Sequence, residues 1–273
     1  MSQPLVSAII TTKNSGRTLA ICLQSLKEQD YPNLEIVVVD NASTDDTKEV
    51  AKGFTDLVFD KGPERSAQRN YAVEKAKGEY VAILDSDMKL SPQVISQCVA
   101  AIQQKGVVEV VIPEESFGEG FWAQCKKLER SFYIGVSWIE AARFFPRELF
   151  QKVGGYDTRL NGGEDWELSQ RIGREGDLAH IEAFIYHDEG KLSLRRTMAK
   201  KYYYAKDLKT YMKKETSSGG GETVANQTSV LARYKLFFAQ PGKLFANPVL
   251  GLGMLWMKTA ELGAAGFGYL VGR

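Results

Sequence analysis

Asp85 and Asp87, on either side of Ser86, are the first residues whose type and spacing suggest chemistry. They follow an apolar run over Glu79–Leu84. Alternate carboxylates at a strand's end can converge on one site and hold a divalent cation, Mn2+ or Mg2+, through hard oxygen ligands. Such a cation bridges two phosphates and neutralises charge on a leaving diphosphate. Asp and Ser are equally ordinary in a turn, so the spacing alone leaves both readings open. Asp40 ends another apolar run, Leu34–Val39. It either accepts hydrogen bonds from a nucleoside or starts the turn that follows, a role that falls more naturally to Ser43–Asp46. In Gly162-Gly-Glu-Asp-Trp-Glu-Leu168, a helix starting near Glu164 sets Asp165, Leu168 and Ile172 on one stripe. A carboxylate on an inward stripe must sit in a cleft or suffer burial. In a cleft it can take the proton from an attacking hydroxyl. The alternative is an acidic first turn that serves only the helix dipole. His187 is a candidate nitrogen ligand or a plain hydrogen-bonded histidine, and His180 reads as structural. Arg69 can meet a diphosphate, while Arg65 reads as part of a solvated helix face.

These residues need elements to hold them. Leu5–Ile10 reads as a first strand, and Leu19, Cys22, Leu23 and Leu26 as the buried stripe of a helix capped by Asn14 or Ser15. Strands follow at Leu34–Val39, Leu57–Phe59, Glu79–Leu84 and Val107–Ile112. Helices are expected from Asp45, over Ser66–Lys77, and after Pro92. Apolar strands separated by amphipathic helices define an α/β fold, a mostly parallel sheet covered on both faces. Ligands in such sheets bind beyond the carboxyl ends of the strands, which puts Asp40, Asp85 and Asp87 at one rim. No G-x-G-x-x-G or G-x-x-x-x-G-K-[ST] follows a strand, so dinucleotide and P-loop readings lose their main support. Further on, Asp177–His187 reads as one strand, Lys191–Lys214 as one long basic helix and Thr216–Glu222 as a loop.

Six segments taken in order resemble the family 2 glycosyltransferases. They are Ile-Ile-Thr-Thr-Lys-Asn14, Val-Val-Val-Asp-Asn-Ala-Ser-Thr-Asp45, Ala-Gln-Arg-Asn70, Ile-Leu-Asp-Ser-Asp87, Val-Gly-Gly-Tyr-Asp157 and Gly-Glu-Asp-Trp-Glu-Leu168. The resemblance runs over roughly residues 5–190. It implies the GT-A fold, Rossmann-like, and transfer of a sugar from a nucleotide-sugar to an acceptor hydroxyl with inversion. It implies a donor site of Thr11, Asn14, Asp40, Arg69, Asp85 and Glu164, a metal held by Asp87 and His187, and Asp165 as catalytic base. UDP-linked donors come first by this resemblance and GDP-mannose second. No Q-x-x-R-W motif is present, which argues against processive polymerisation.

Bulk composition bounds the rest. A chain of 273 residues with net charge +1 is no general polyanion binder, and no nucleic-acid module is present. Cys22, Cys98 and Cys125 are scattered, as expected of small buried hydrophobes in a reducing compartment. No basic segment followed by an apolar run opens the chain, so a cytosolic catalytic part is expected. The expected division is a catalytic domain over 1–190 and a helical region over 191–273. That region carries nine Lys/Arg against one Asp between Lys191 and Lys214, with Tyr202, Tyr203, Tyr204 and Tyr211 among them. It ends in an apolar tail, Leu244–Gly272, broken by Lys258 and Glu261. Cations mixed with tyrosines suit an anionic lipid surface. The tail is either an interfacial or re-entrant segment or a helical hairpin packed on the protein. A peripheral membrane protein acting on a lipid-linked acceptor is therefore expected. The competing functions are a sugar-phosphate nucleotidyltransferase, for which Thr11–Arg17 is a poor triphosphate loop, and a non-catalytic binding module.

Overall fold

In the computed structural model, residues 3–217 and 219–272 are described, and they form two compact units. The first comprises residues up to 113 together with 141–158 and 164–188. The second comprises 114–140, 159–163 and the chain from 189 onward. The second unit thus takes two internal segments besides the region after residue 190.

The first unit is built from β1 (Val6–Thr12), α1 (Gly16–Lys27), β2 (Leu34–Asp40), α2 (Thr47–Lys52), β3 (Val58–Asp60), α3 (Arg65–Lys75), β4 (Tyr80–Asp85), β5 (Met88–Leu90), α4 (Val94–Lys105) and β6 (Glu109–Val111). β7 (Glu114–Glu119) and α5 (Phe121–Ser131) leave it. It resumes with β8 (Phe144–Pro146), α6 (Arg147–Lys152), α7 (Glu164–Ile172), β9 (Leu178–His180) and the first residues of β10 (Ile185–Lys191). A seven-stranded sheet runs in the order β3-β2-β1-β4-β8-β6-β9. β3, β2, β1 and β4 are parallel, β8 is antiparallel to both β4 and β6, and β9 is parallel to β6.

The central strands are buried on both faces, which is why their sequences are nearly continuous apolar runs. Successive side chains alternate faces. Ala8 and Ile10 enter one core with Leu19, Cys22, Val94 and Cys98 from α1 and α4. Ile9 enters the other with Val73 of α3 and Leu168 and Ile172 of α7. All three cysteines are buried and unpaired, and burial pushes the Cys22 and Cys98 thiols well up, away from thiolate chemistry.

The second unit holds β7, α5, the end of β10, α8 (Leu194–Ala205), α9 (Leu208–Ser217), α10 (Gly221–Thr228), α11 (Val230–Phe238), α12 (Pro241–Leu244) and α13 (Pro248–Val271). Its own core gathers Cys125, Phe132, Phe237, Leu244, Met254 and Met257. α13 packs against α5 and α8 so closely that glycine is required. A Cβ at Gly253 would stand 2.3 Å from the Phe121 ring, and one at Gly268 would stand 2.3 Å from the Tyr202 carbonyl oxygen.

Three expectations are corrected. The strand expected over 177–187 is two strands, β9 and β10, separated by residues 181–184. The single basic helix over 191–214 is two helices, because β10 runs to Lys191 and the helical stretch breaks at Lys206-Asp207. Asp207 turns aside there to accept a hydrogen bond from Asn161 Nδ2 at 2.9 Å. The tail is not a hairpin, since Lys258 and Glu261 lie within one helix of 24 residues. Among the described residues no helix is long and apolar enough to cross a membrane.

Candidate active site

Strand order reverses at β1, whose neighbours are β2 and β4. Open α/β sheets bind ligands at such a point, beyond the carboxyl ends of the strands. The register there sets Thr12 beside Asp40 and Thr11 beside Asp85. Thr11 and Thr12 are buried in the rim.

Asp40 is wholly buried and its carboxylate is spoken for. Oδ1 accepts from Thr12 Oγ1 at 2.9 Å and from Ser43 Oγ at 2.5 Å, and Oδ2 from Ser43 N at 2.8 Å. Asp40 therefore organises the loop after β2. Asn14, in the left-handed region at φ 50°, ties the loop after β1 to the same segment. Its backbone N donates to Ser43 Oγ at 2.8 Å, and its Oδ1 accepts from Thr44 N at 2.9 Å. A hollow of about 460 Å³ opens beside these loops, lined by Asn41, Ala42, Lys48, Asp60, Lys61 and Gly62.

Helix α3 clamps the site with three successive side chains. Steps of about 100° per residue send them to three different elements. Gln68 Nε2 donates to the Thr12 and Val39 carbonyls at 3.0 and 2.7 Å, fastening the ends of β1 and β2. Asn70 Nδ2 donates to the Tyr156 carbonyl and its Oδ1 accepts from Tyr156 N, both at 2.8 Å. This pairing explains the paired glycines before Tyr156. Gly155 has φ 64°, and a Cβ there would fall 2.6 Å from Asn70 Oδ1.

Arg69 is the hub. It is fully buried, with Nη2 2.7 Å from Asp85 Oδ1 and Nη1 2.8 Å from Asp165 Oδ1. Glu164 Oε1 lies 3.5 Å from Nη1, and the guanidinium stands 4.9 Å from the centre of the Tyr156 ring. Burial alone would raise the Asp85 carboxyl, but Arg69, Arg143 and Arg65 together hold it far below the usual carboxylate range. Glu164 goes the other way. Burial and the neighbouring Asp165 charge raise it, against the pull of Arg65 and Arg69. Arg65, expected on a solvated face, instead turns inward, with Nε 2.8 Å from Glu164 Oε1.

Asp165 occupies the first turn of α7, whose inner stripe of Leu168 and Ile172 is fully buried. Both hydrogen bonds to the Asp165 carboxylate end on Oδ1, from Arg69 and from the Tyr156 hydroxyl at 3.0 Å. Oδ2 takes none from the described residues, and the side chain is 28% exposed. One oxygen is thus anchored while the other carries no hydrogen bond from the described residues. Burial and the Asp165 charge push the Tyr156 hydroxyl well up, so it stays a proton donor in this contact.

On the other side of Asp85, the turn carrying Ser86 and Asp87 is held by a 2.7 Å contact between the Ser86 and Ser15 hydroxyls. β10 pairs antiparallel with β5, setting His187 against Met88. His187 Nδ1 consequently lies 3.7 Å from Asp87 Oδ1. The Asp87 side chain is 41% exposed, so the pair opens outward. Among the described residues no group of three or more His, Cys, Asp or Glu converges as a closed cage. Two protein donors on an open rim fit a cation whose remaining ligands are phosphate oxygens and water. His180 is exposed on β9 and takes no part in this arrangement.

All the residues expected at the site therefore belong to the first unit. Arg69, Asp85, Glu164 and Asp165 share one ionic cluster, and Asp87 and His187 form a pair beside it. Thr11, Asn14 and Asp40 serve the rim and its loops. Sequence reasoning missed Gln68, Asn70 and Tyr156. All three lie inside quoted motifs, so the signal was present, but nothing in one sequence says that α3 reaches both β1 and residue 156.

A mixed sheet of this order, with carboxylates and a buried arginine at its switch point, is the GT-A type of nucleotide-sugar fold. The chain belongs to glycosyl transferase family 2, whose family model matches residues 7–156. It is 34% identical over 185 residues to the glycosyltransferase AglE of Haloferax volcanii, covering 62% of this chain and 61% of that one. It is 31% identical over 115 residues to the glycosyltransferase GlyG of Streptococcus pneumoniae, covering 40% of this chain and 38% of that one. The chain thus spans less than two thirds of the length of both relatives. Among solved structures, it is similar to the mannosyltransferase PcManGT of Pyrobaculum calidifontis in complex with GDP-Man and Mn2+. The TM-score is 0.67 at 18% identity, over 99% of this chain and 88% of that one. It is also similar to TarS of S. aureus in complex with UDP-GlcNAc, with a TM-score of 0.56 at 15% identity over 97% and 90%.

Proposed function

We propose that this protein is an inverting glycosyltransferase that moves a sugar from a nucleotide-sugar, UDP-linked before GDP-linked, to an acceptor hydroxyl. The observation that carries this reading is Asp165, with one carboxylate oxygen fixed by Arg69 and Tyr156 and the other open. Oδ2 accepts the proton of the acceptor hydroxyl as that oxygen attacks the anomeric carbon. The bond to the nucleoside diphosphate breaks on the opposite face, which inverts the centre and frees the nucleotide. Thr11, Asn14 and Asp40 shape the nucleoside end of the donor site, and Asp85 and Arg69 orient its ribose and sugar. Glu164 sets the charge around Arg69, and the first unit is the catalytic domain. Asp87 and His187 are the residues that would hold a divalent cation, Mn2+ or Mg2+. Such an ion supplies neutralisation of charge on the leaving diphosphate.

The acceptor in this reading is lipid-linked, the protein being peripheral to the cytoplasmic face of a membrane in glycan or glycolipid synthesis. The basic residues of α8 and α9 support it, since each cation near an anionic surface contributes about 1 kcal/mol. Titration of UDP and GDP into the protein with and without Mn2+ tests the donor half. Metal-dependent binding of one nucleotide, lost in Asp87→Ala, is the expected result. Binding of neither would return the chain to the class of non-catalytic modules.

A further inference from the structure

Helix α13 is turned inside out relative to an ordinary surface helix. Its two charged residues face inward. Lys258 is 6% exposed and Glu261 1% exposed. Lys258 Nζ lies 2.6 Å from Glu129 Oε1 and 3.2 Å from Glu261 Oε2, and Lys126 Nζ lies 2.6 Å from Glu129 and 2.7 Å from Glu261. α5 and α13 are therefore joined through two lysines and two glutamates. The outward side carries Val249, Leu252, Trp256, Phe267, Leu270 and Val271, each between 51% and 73% exposed. Thr259, Gly263 and Gly266 fill the exposed positions between them. At about 100° per residue these nine positions fall within an arc of about 140°, along a helix about 36 Å long. No charged residue lies on that arc. An uncharged stripe of this length is far larger than the isolated apolar residues a soluble surface normally shows.

The C-terminal end of the stripe is basic. At the C-terminal end Lys206 stands 4.7 Å from the centre of the Tyr202 ring, which itself stacks on Phe267 at 5.9 Å. Lys209 lies 5.2 Å from the Tyr269 ring and donates to the Gly272 carbonyl at 3.0 Å. At the N-terminal end Lys243 is turned inward, over the buried Phe132 ring at 4.8 Å and donating to the Ser131 carbonyl at 2.8 Å, with Glu115 nearby. A second copy packed parallel on this face would set these lysines against their own counterparts. An anionic lipid surface instead accepts the apolar stripe, the interfacial Trp and Tyr rings and the flanking cations together.

We infer that the outward face of α13, with Trp256 near its middle and Lys206 and Lys209 at its C-terminal end, is the surface by which the protein lies on an anionic membrane. This rests on the membrane-peripheral reading above and names the contact. α13 lies along the interface without crossing the membrane.

The test uses the full chain and vesicles of phosphatidylcholine alone or mixed about three to one with phosphatidylglycerol. Co-sedimentation should favour the anionic vesicles and weaken with salt. Leu252→Glu with Trp256→Glu should lower the affinity roughly tenfold or more, since two large apolar groups no longer leave water. Trp256→Phe should keep binding but lose the blue shift of tryptophan emission that vesicles induce in the parent. Lys206→Gln with Lys209→Gln should reduce the preference for anionic over neutral vesicles. UDP and GDP titrations should match the parent in every variant, because none of these residues belongs to the donor site. Unchanged vesicle binding by the Leu252→Glu, Trp256→Glu variant would overturn the inference. If in that case the lysine variant alone lost binding, the membrane-peripheral reading would survive without α13. Failure of the parent to bind either vesicle would sink both. A dimer in sedimentation velocity that the double glutamate variant abolishes, without vesicle binding by the parent, would make this face an interface between copies.

Discussion

Asp165 receives two hydrogen bonds on one oxygen, and that asymmetry makes its role testable. Asp165→Asn keeps the size and still accepts from Arg69 and Tyr156 through its carbonyl, but it has no basic oxygen left. Turnover should fall about a hundredfold or more, while nucleotide affinity by titration stays near the parent value. Near-normal turnover would remove Asp165 from the base position. Tyr156 acts through Asp165 and makes a different prediction. Its hydroxyl donates to Asp165 Oδ1 and so fixes the direction of the carboxylate. Tyr156→Phe should lower kcat by roughly threefold to tenfold, with KM for the donor little changed. An unchanged kcat would leave Tyr156 with packing alone. At this scale the sequence was informative where a motif carries the carboxylate, since Asp165 joins the Arg69 cluster and Asp87 stands beside it. It was silent on Tyr156, because a tyrosine's hydroxyl partner depends on a chain reversal that local pattern does not encode.

The elements position these groups through a few cross-links, of which α7 has one with a measurable pH signature. Ser169, on the helix that carries Asp165, donates to Glu109 Oε2 on β6 at 2.8 Å. Glu109 is 3% exposed, and burial pushes its carboxyl up to about 7 against the lowering effect of that hydrogen bond. The unfolded chain ionises such a carboxyl near about 4.3. Between those two values the folded state holds more protons than the unfolded state, so stability falls as pH rises and levels off above about 7. Glu109→Gln cannot ionise and still accepts from Ser169. The variant should match the parent near about pH 5 and exceed it by on the order of 2–3 kcal/mol near about pH 8. Urea denaturation at the two pH values measures this, and equal stability at both would show that Glu109 ionises freely in the folded protein.

The elements themselves were legible where the period was strong. β1, β2 and β4 show as apolar runs because both their faces are buried, and α1 and α4 show as stripes because one side is. The boundary between β9 and β10 was not, since residues 181–184 carry no glycine or proline to mark it. Nor was the break inside the basic segment, where Asp207 leaves the helical pattern for a partner 46 residues away.

For the molecule as a whole, the two units solve the burial problem differently. The first is an apolar core under a polar rim, and its sequence reads accordingly. The second buries Glu129, Lys258 and Glu261, with Lys126 half-buried beside them, and exposes Trp256, Leu252 and Leu270. Hydropathy along a sequence counts residues without their direction, so Lys258 and Glu261 read as interruptions of an apolar tail when they are its inward anchor. Two lysines and two glutamates balance one another here, and burial beside them pushes the Lys201 amine down to about 7, so the network is balanced only when complete. Removing one charge strands its partner in a low-dielectric interior at a cost of about 3–5 kcal/mol, while removing a whole pair is nearly neutral. Glu261→Met should therefore destabilise the second unit by about that amount, leaving Lys258 and Lys126 to share Glu129. Lys258→Met with Glu261→Met should recover most of the loss, since Lys126 and Glu129 remain paired at 2.6 Å. Three of the four tryptophans, Trp122, Trp138 and Trp256, belong to the second unit, so denaturation followed by tryptophan emission reads this unit directly. A double variant less stable than Glu261→Met would mean that the charges stabilise α13 by their own attraction, and not merely by cancelling one another.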